Sequence, residues 1–350
     1  MKKPTNEVNI KFLNVTLQLK SEMKGLLDFI YIMNASIINE NNNSNPDITV
    51  NLKPDKGYTI SNNYKKISRN IQIGDSSIFI MKVDRIPGLS LKIKIKDNKI
   101  NIEAFLKEKK NNLVKILSPW RGFDQSINFM ILTYYLIYIP CIYYLEHFRN
   151  LYLLHAGAFE YKQKGIILSG LGGVGKSTLT LAALHMNNSK ILSDNMIFHD
   201  SQKIFSIPSP IGLDLNSLSL LAKISNKLTP IKLPTHHGRT YYQLKPDLFI
   251  NQAVPKYLFW LQCGNENTIK PIDEKKIIKT LLDINLLTNH IREYLEFAAL
   301  VDLVSKKISS PAGHFKNLSS LASNLECFVL TFKPGTDACL NFDKLINQIL

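Results

Sequence analysis

Residues 170–177 read Gly170-Leu171-Gly172-Gly173-Val174-Gly175-Lys176-Ser177, which fits the pattern G-x-x-x-x-G-K-[ST] at every fixed position. The stretch before it, residues 165–169, is a short apolar run of the kind that forms a buried strand. The stretch after it, residues 178–184, contains good helix formers and no helix breaker. A strand, a glycine-rich loop and a helix in this order predict an α/β fold with a mixed sheet.

The loop has the composition of a phosphate-binding site. Its four glycines let the backbone turn N–H groups towards an anion, and the following helix adds the positive end of its dipole. In such a loop the lysine reaches the β- and γ-phosphates of a nucleotide and the hydroxyl residue holds Mg²⁺. We therefore predict that ATP and Mg²⁺ bind here, with Ser177 as a metal ligand. The predicted nucleotide-binding residues are Gly170, Leu171, Gly172, Gly173, Val174, Gly175, Lys176, Ser177 and Thr178.

Composition indicates a globular protein, with 45% hydrophobic and 20% charged residues among 350. The net charge of +15 is spread along the chain without an all-basic block, which favours anionic ligands and argues against nucleic acid. Four scattered cysteines without a C-x-x-C pair argue against a zinc site or a disulfide scaffold. Together with an N-terminus that lacks an apolar signal segment, they predict a cytoplasmic location.

Residues 1–118 predict a β-rich N-terminal module without a chemical motif, which would select a substrate or mediate oligomerisation. Partial alternation over residues 8–19 predicts a strand, and Ser21 precedes a predicted helix. Alternating residues on both sides of Asp97-Asn98 predict a hairpin. Residues 119–350 are predicted to form the catalytic domain.

Residues 127–145 carry no charge over nineteen positions, which approaches the length of a membrane span. Asn128, Thr133, Pro140 and the tyrosines spread through the segment interrupt it. We therefore predict a buried helix that leads into the catalytic sheet, with no membrane partner.

Two predicted strands flank the loop in sequence. One covers residues 151–159 and contains His155; the other lies within residues 190–198 and places Asp194 at the end of an apolar strand, 18 residues after Lys176. One helix and one return strand place Asp194 beside the loop. Such an aspartate binds Mg²⁺, directly or through water, or takes a proton from an acceptor hydroxyl. The alternative is an ordinary Asp-Asn turn.

The C-terminal half contains one further candidate loop, residues 232–239, which is polar, basic and rich in helix and strand breakers. Its Arg239 is predicted either to stabilise charge on a transferring phosphoryl group or to be a solvated surface residue. His236 and His237 have no matching third metal ligand. Strands are predicted at residues 256–263 and 326–332, and a helix at 286–307. The inward positions predicted for that helix are Leu295, Ala298, Ala299, Val301 and Leu303.

Two segments, LLHAGAFEYKQKGIILSGLGGVGKSTL and KILSDNMIF, resemble the HPr kinase/phosphorylase-like proteins, which share their nucleotide fold with phosphoenolpyruvate carboxykinase. The resemblance is strong over residues 150–210, extends more loosely in the order of strands and helices to the C-terminus, and does not cover the first 118 residues. It implies that His155 matches the family histidine close to the active site. It also implies that Asp194 is the catalytic acid/base near Mg²⁺. Asn195 stands where the family often has a second acid, and the E-I-R-G type stretch has no counterpart.

The resemblance implies a P-loop kinase with Asp194, His155 and Lys176 at the catalytic site and Asp194 beside Ser177 at the metal. Arg239, predicted from its own loop, completes the set of candidate catalytic residues. The acceptor would be a hydroxyl group, foremost a serine of a peptide or protein, and the family's hexamers imply a possible homo-oligomer. Three alternatives remain: a P-loop ATPase or GTPase without an acceptor, a kinase for a small metabolite, and a non-catalytic nucleotide-binding assembly module.

Overall fold

The computed structural model describes residues 6–39, 45–55, 64–83, 85–107, 125–207, 209–231, 238–305, 311–334 and 337–349. The chain divides into two compact units. The first consists of Met1–Arg149 and Tyr294–Ser309, and the second of Asn150–Glu293 and Ser310–Leu350. The predicted boundary between residues 118 and 119 lies outside the described residues and stays a prediction.

The first unit is built on a mixed sheet of eight strands in the order β1-β2-β3-β8-β7-β6-β5-β4. Its strands are β1 (Glu7–Phe12), β2 (Val15–Ser21), β3 (Ile48–Pro54), β4 (Lys65–Ser68), β5 (Ile71–Ile73), β6 (Ser77–Ile80), β7 (Leu89–Lys96) and β8 (Lys99–Leu106). Its helices are α1 (Lys24–Met33), α2 (Gln125–Thr133) and α3 (Ile139–Arg149), with a 3-10 turn at Ala35–Ile37 and a π-helical turn at Tyr134–Tyr138.

The hairpin predicted around Asp97-Asn98 is confirmed, since both residues have positive φ and join β7 to β8. The single strand predicted over residues 8–19 is wrong. It is two antiparallel strands that turn at Leu13, whose φ is +54°. The physical reason is a change of phase: the buried positions step by two up to Phe12 and then by three to Val15.

The uncharged segment forms the continuous helical run of α2, the π turn and α3. Asn128–Arg149 is long and apolar enough to cross a membrane, and 72% of its most apolar window is buried inside the structure. Tyr143 on α3 donates a hydrogen bond to Asp302 at 2.9 Å, and buried Tyr294 donates one to Glu146. The apolar side chains of this run are mostly buried, and these two tyrosine hydroxyls are hydrogen-bonded, as in a core helix. This agrees with the buried helix that the sequence predicts.

The second unit contains three sheets, and the largest has six strands in the order β12-β10-β11-β19-β21-β20. Its strands are β9 (Tyr152–Leu154), β10 (Gly157–Tyr161), β11 (Lys164–Ser169), β12 (Lys190–Ser193), β13 (Ile197–His199), β14 (Ile204–Phe205), β15 (Ile211–Leu213), β16 (Leu228–Pro230), β17 (Thr240–Leu244), β18 (Gln252–Ala253), β19 (Pro255–Cys263), β20 (Thr268–Pro271) and β21 (Glu326–Phe332). The smaller sheets run β18-β14-β13-β9 and β15-β17-β16.

Helices cover both faces of the six-stranded sheet. They are α4 (Lys176–Ala182), α5 (Leu215–Leu220), α6 (Glu274–Leu287), α8 (Pro311–Ala322) and α9 (Ala338–Ile346), with 3-10 turns at Ala183–His185, Ala222–Lys227 and Pro246–Leu248. Ile166 and Leu168 of β11 belong to the core with α4 and α9, whereas Ile167 belongs to the core with α6 and α8. A strand buried on both faces is apolar throughout. The α/β class predicted from the sequence is confirmed, with mixed sheets.

The helix predicted over residues 286–307 is two helices, because α6 ends at Leu287 and α7 (Asn289–Ser305) begins two residues later. The residues of α7 from Tyr294 onward belong to the first unit. Ala298 and Val301 are buried as predicted, but Ala299 is exposed and Leu303 is 57% exposed. The buried positions of α7 are Ile291, Tyr294, Phe297, Ala298 and Val301, which follow the 3.6-residue period.

Candidate nucleotide site

The glycine-rich loop connects the end of β11 to the start of α4, as the sequence predicts. Gly175 has a φ of +95°, a conformation that favours glycine, and directly precedes the first residue of α4. Gly170 lies so close to β19 that an added Cβ would approach the Leu261 carbonyl oxygen to 2.9 Å. These two glycines therefore serve the turn and the close packing of the loop against the sheet.

Lys176 is buried, with 7% of its surface exposed. Its ammonium group donates hydrogen bonds to the carbonyl oxygens of Gly170 at 2.8 Å and of Leu171 at 3.0 Å. Burial lowers the pKa of Lys176 to about 8, and the nearby Asp194 carboxylate partly opposes this. An anionic ligand on the loop would supply the negative charge that this buried ammonium group lacks.

Asp194 follows β12 in a bend, and its carboxyl group faces the loop. It accepts a hydrogen bond from the Ser177 hydroxyl, and the charges of Lys176 and Arg239 act on it. Asp194 keeps some exposed surface, but its carboxyl group is desolvated. Desolvation raises the pKa of this carboxyl group above the usual range, although the three partners each lower it. The structure thus brings together four predicted site residues from three separate segments.

His155 lies at the break between β9 and β10, which the sequence analysis treated as one strand. β9 pairs with β13 and β10 pairs with β12, so residues 155–157 lie opposite residues 194–196. The His155 N–H donates to the side chain of Asn285 at 3.1 Å, and its carbonyl accepts from Ser169 at 3.4 Å. The backbone of His155 is therefore anchored next to the last residue before the loop.

The remaining loop residues differ in their surroundings. Leu171 is 55% exposed, whereas Val174 packs against the core that contains α4. No atom would lie within 4 Å of a Cβ at Gly172 or Gly173, so the tip of the loop is open. Thr178 is buried on the first turn of α4, and its hydroxyl lies 3.4 Å from that of Ser217.

Arg239 is exposed and begins the strand edge that leads into β17. Its side chain lies over Gly212, since its Cδ is 3.6 Å from the position of a Cβ there. Its charge lowers the pKa of Asp214 as well as acting on Asp194. The rest of the predicted loop, residues 232–237 with His236 and His237, lies outside the described residues.

Asp214 is a neighbour of the loop that the sequence analysis missed. It is the N-cap of α5 and accepts a hydrogen bond from the Ser217 N–H at 2.7 Å, which is the main cause of its lowered pKa. It lines a cavity together with Gly173, Gly175 and Thr178. The available signal was an aspartate three residues before a serine at a helix start, which indicates a cap but not a position beside the loop.

The donor set fits a magnesium ion held mainly by phosphates. Among the described residues, no three His, Cys, Asp or Glu side chains gather as metal ligands. The hydroxyl of Ser177 and the carboxylate of Asp194 are within hydrogen-bond reach of each other. Mg²⁺ at nucleotide sites uses one or two such oxygen ligands together with phosphate oxygens and water, so these two residues suffice.

The similarity of this chain to proteins of known structure is distant. No family model matches the chain, and no curated protein matches it. Among solved structures, the chain is similar to the Hpr(Ser) kinase/phosphatase from Coxiella burnetii, with 11% identity and a TM-score of 0.27. That alignment covers 56% of this chain and 94% of the other.

Proposed function

We propose that this chain is an ATP-dependent kinase of the HPr-kinase-like class that transfers the γ-phosphoryl group of Mg·ATP to an acceptor hydroxyl. The observation that carries the proposal is the desolvated carboxyl group of Asp194, which accepts a hydrogen bond from Ser177 and on which the charges of Lys176 and Arg239 act. Sequence alone predicts Lys176 and Ser177 on one loop, and in the folded chain a carboxyl group and a second positive charge act beside them.

Lys176 binds the phosphates in this proposal. Its ammonium group is held by the carbonyls of Gly170 and Leu171, directly behind the open tip of the loop. It exchanges these contacts for oxygens of the β- and γ-phosphates, which restore the charge balance that burial disturbs. Ser177 and Asp194 would hold the magnesium ion, which would neutralise charge on the phosphates.

Asp194 accepts the acceptor's proton. The acceptor oxygen forms a bond to the γ-phosphorus while the bond between that phosphorus and the bridging oxygen breaks, so ADP leaves with the electron pair. The proton of the hydroxyl passes to the Asp194 carboxylate. Desolvation raises the pKa of this carboxyl group, which strengthens it as a base, while Lys176 and Arg239 keep it ionised.

Arg239 stabilises the negative charge of the transferring group. It lies at the start of the strand edge that leads into β17 rather than on the glycine-rich loop, and its charge acts on both Asp194 and Asp214. Positive charge at this point of a phosphoryl transfer acts as an arginine finger does. Binding and positioning of the two substrates supply the remainder of the rate enhancement.

The orientation of Asp194 favours a kinase over an assembly module, because a bound but unreacted nucleotide has no use for a desolvated base beside the metal position. Hydrolysis by water at the acceptor position and transfer to a small metabolite use the same residues. The peptide or protein serine acceptor, the cytoplasmic location and a homo-oligomer stay predictions.

The test is transfer from γ-labelled ATP to components of a lysate of the source cell, with purified protein and Mg²⁺. Lys176→Ala should abolish the labelled product. Asp194→Asn should lower its rate by about 100-fold to 10,000-fold, the usual contribution of a general base, while nucleotide binding remains. Matched controls are Lys279→Ala and Asp283→Asn, which make the same chemical changes at exposed positions of α6.

The outcomes separate the alternatives. If Asp194→Asn turns over like Asp283→Asn, Asp194 is not the base. Free phosphate as the sole product of the wild type indicates a hydrolase. Bound ATP with neither product indicates an assembly module.

A further inference from the structure

A cavity of about 200 Å³ opens beside the glycine-rich loop, on the side of Gly175 and Thr178. It lies at the carboxyl ends of three neighbouring parallel strands. The loop follows β11, Cys263 ends β19, and Phe332 ends β21 directly beside Cys263 in the register. In α/β sheets this edge is where ligands bind.

The volume of the cavity limits what it takes. Pockets for whole drug-sized ligands have volumes of roughly 300–1,000 Å³. This cavity is smaller and is bounded by the loop itself. The cavity is therefore too small for a whole nucleoside triphosphate. If the phosphates occupy the loop, the cavity beside Thr178 has to take only the base and the sugar.

The floor of the cavity is apolar. Leu179, Leu330 and Phe342 line it and are buried in the core that contains α4 and α9. Phe332 and Leu345 line it as well. Flat, weakly polar rings gain free energy when they leave water for such a surface, which suits a nucleobase.

The side of the cavity next to Thr178 is polar. Asp214 and Ser217 line the cavity, and the Ser217 hydroxyl lies 3.4 Å from that of Thr178 on the first turn of α4. A carboxylate and a hydroxyl at this position match the hydroxyl groups of a sugar, which donate to the former and exchange hydrogen bonds with the latter.

We propose that this cavity is the nucleoside-binding site of the protein, with the sugar against Asp214 and Ser217 and the base against the partly exposed ring of Phe332. This inference rests on the proposed function, because it takes the phosphates to lie on the loop. It predicts that the protein binds ATP more tightly than a polyphosphate without a nucleoside, because only ATP fills the cavity.

Cys263 offers a way to fill the cavity without touching the loop. Its exposed side chain lines the cavity at the end of β19, and a strand end tolerates an aromatic residue. Cys263→Trp is therefore expected to block the base and leave the phosphate position open. Lys256→Trp, exposed at the start of the same strand, is the matched control.

The experiment measures the affinities of ATP and inorganic tripolyphosphate, each with Mg²⁺, by calorimetry on the full chain. The wild type and Lys256→Trp should bind ATP more tightly than tripolyphosphate. Cys263→Trp should weaken ATP by about tenfold or more and leave tripolyphosphate unchanged. Equal ATP affinity in the wild type and Cys263→Trp, with tripolyphosphate bound by both, overturns this inference and leaves the phosphate loop standing. If neither compound binds the wild type, the proposed function fails, and this inference with it.

A second readout uses the thiol itself. Cys141 and Cys339 are buried, and burial raises the pKa of Cys327 to about 11, so an alkylating reagent should modify Cys263 first. ATP should protect Cys263 and tripolyphosphate should not. Unchanged labelling under saturating ATP contradicts the placement of the base in this cavity.

Discussion

Replacing Gly157 with alanine should force apart two elements on which the site depends. Gly157 begins β10, and a Cβ added there would lie 2.2 Å from the Thr180 hydroxyl oxygen on α4 and 3.4 Å from the Asp194 carbonyl oxygen. The first distance is about 1 Å shorter than an ordinary contact between carbon and oxygen. Thr180 is fully buried, so either its side chain rotates or α4 moves. Overpacking of this kind costs about 1–3 kcal/mol.

Thr180→Ala provides the rescue. It removes the hydroxyl that clashes and leaves the Thr180 Cβ at 3.4 Å, an ordinary contact. That hydroxyl has no hydrogen-bond partner among the described residues, so its removal breaks no bond seen there. The double variant should therefore be less destabilised than the sum of the single variants, by about 1 kcal/mol or more.

The assay is urea unfolding of the four proteins, combined with the phosphotransfer assay. Gly157→Ala should lose transfer activity as well as stability, because α4 carries Lys176 and the Asp194 bend is adjacent. The double variant should recover both. Strictly additive free energies, or a Gly157→Ala protein as stable as the wild type, would refute the close contact between β10 and α4.

Three further predictions concern stability. Burial lowers the pKa of His199 from 6.5 to about 4, so the unfolded chain binds the proton more readily than the folded one. The free energy of unfolding should therefore fall by about 2 kcal/mol as the pH is lowered from about 7 to about 5. Urea titrations of His199→Phe should show a flatter dependence on pH. Asp273→Ala removes the N-cap of α6, which accepts from the Lys276 N–H at 3.2 Å, and should cost about 1 kcal/mol in thermal unfolding with nucleotide binding unchanged. Tyr294→Phe deprives buried Glu146 of a hydrogen bond and should cost about 1–3 kcal/mol in the same measurement; no loss would show that this bond contributes nothing net.

Local patterns predicted those elements whose cause is local. The hairpin at Asp97-Asn98 follows from two residues that tolerate positive φ. The strand predicted at residues 326–332 is β21, and the one predicted at 256–263 is β19 with one more residue at its start. Their apolar runs are explained by burial within the central sheet.

The predictions that proved wrong have a common cause, which is contact between segments that are far apart in the sequence. Residues 151–159 look continuous, but β9 and β10 separate because they pair with different strands and enter different sheets. Leu303 fits an apolar helical period and is nevertheless exposed. Periodicity indicates which residues share a face, and only the packing of the whole chain decides whether that face is covered.

The sequence by itself determined the glycine-rich loop, because the positive φ of Gly175 and the position of Lys176 at the start of α4 depend on consecutive residues. Only the tertiary structure decided what surrounds it. Asp214 and the cavity that ends at Cys263 and Phe332 reach the loop from segments far apart in the chain. Their meeting depends on the parallel pairing of β11, β19 and β21, whose hydrogen bonds join strands that no local pattern connects.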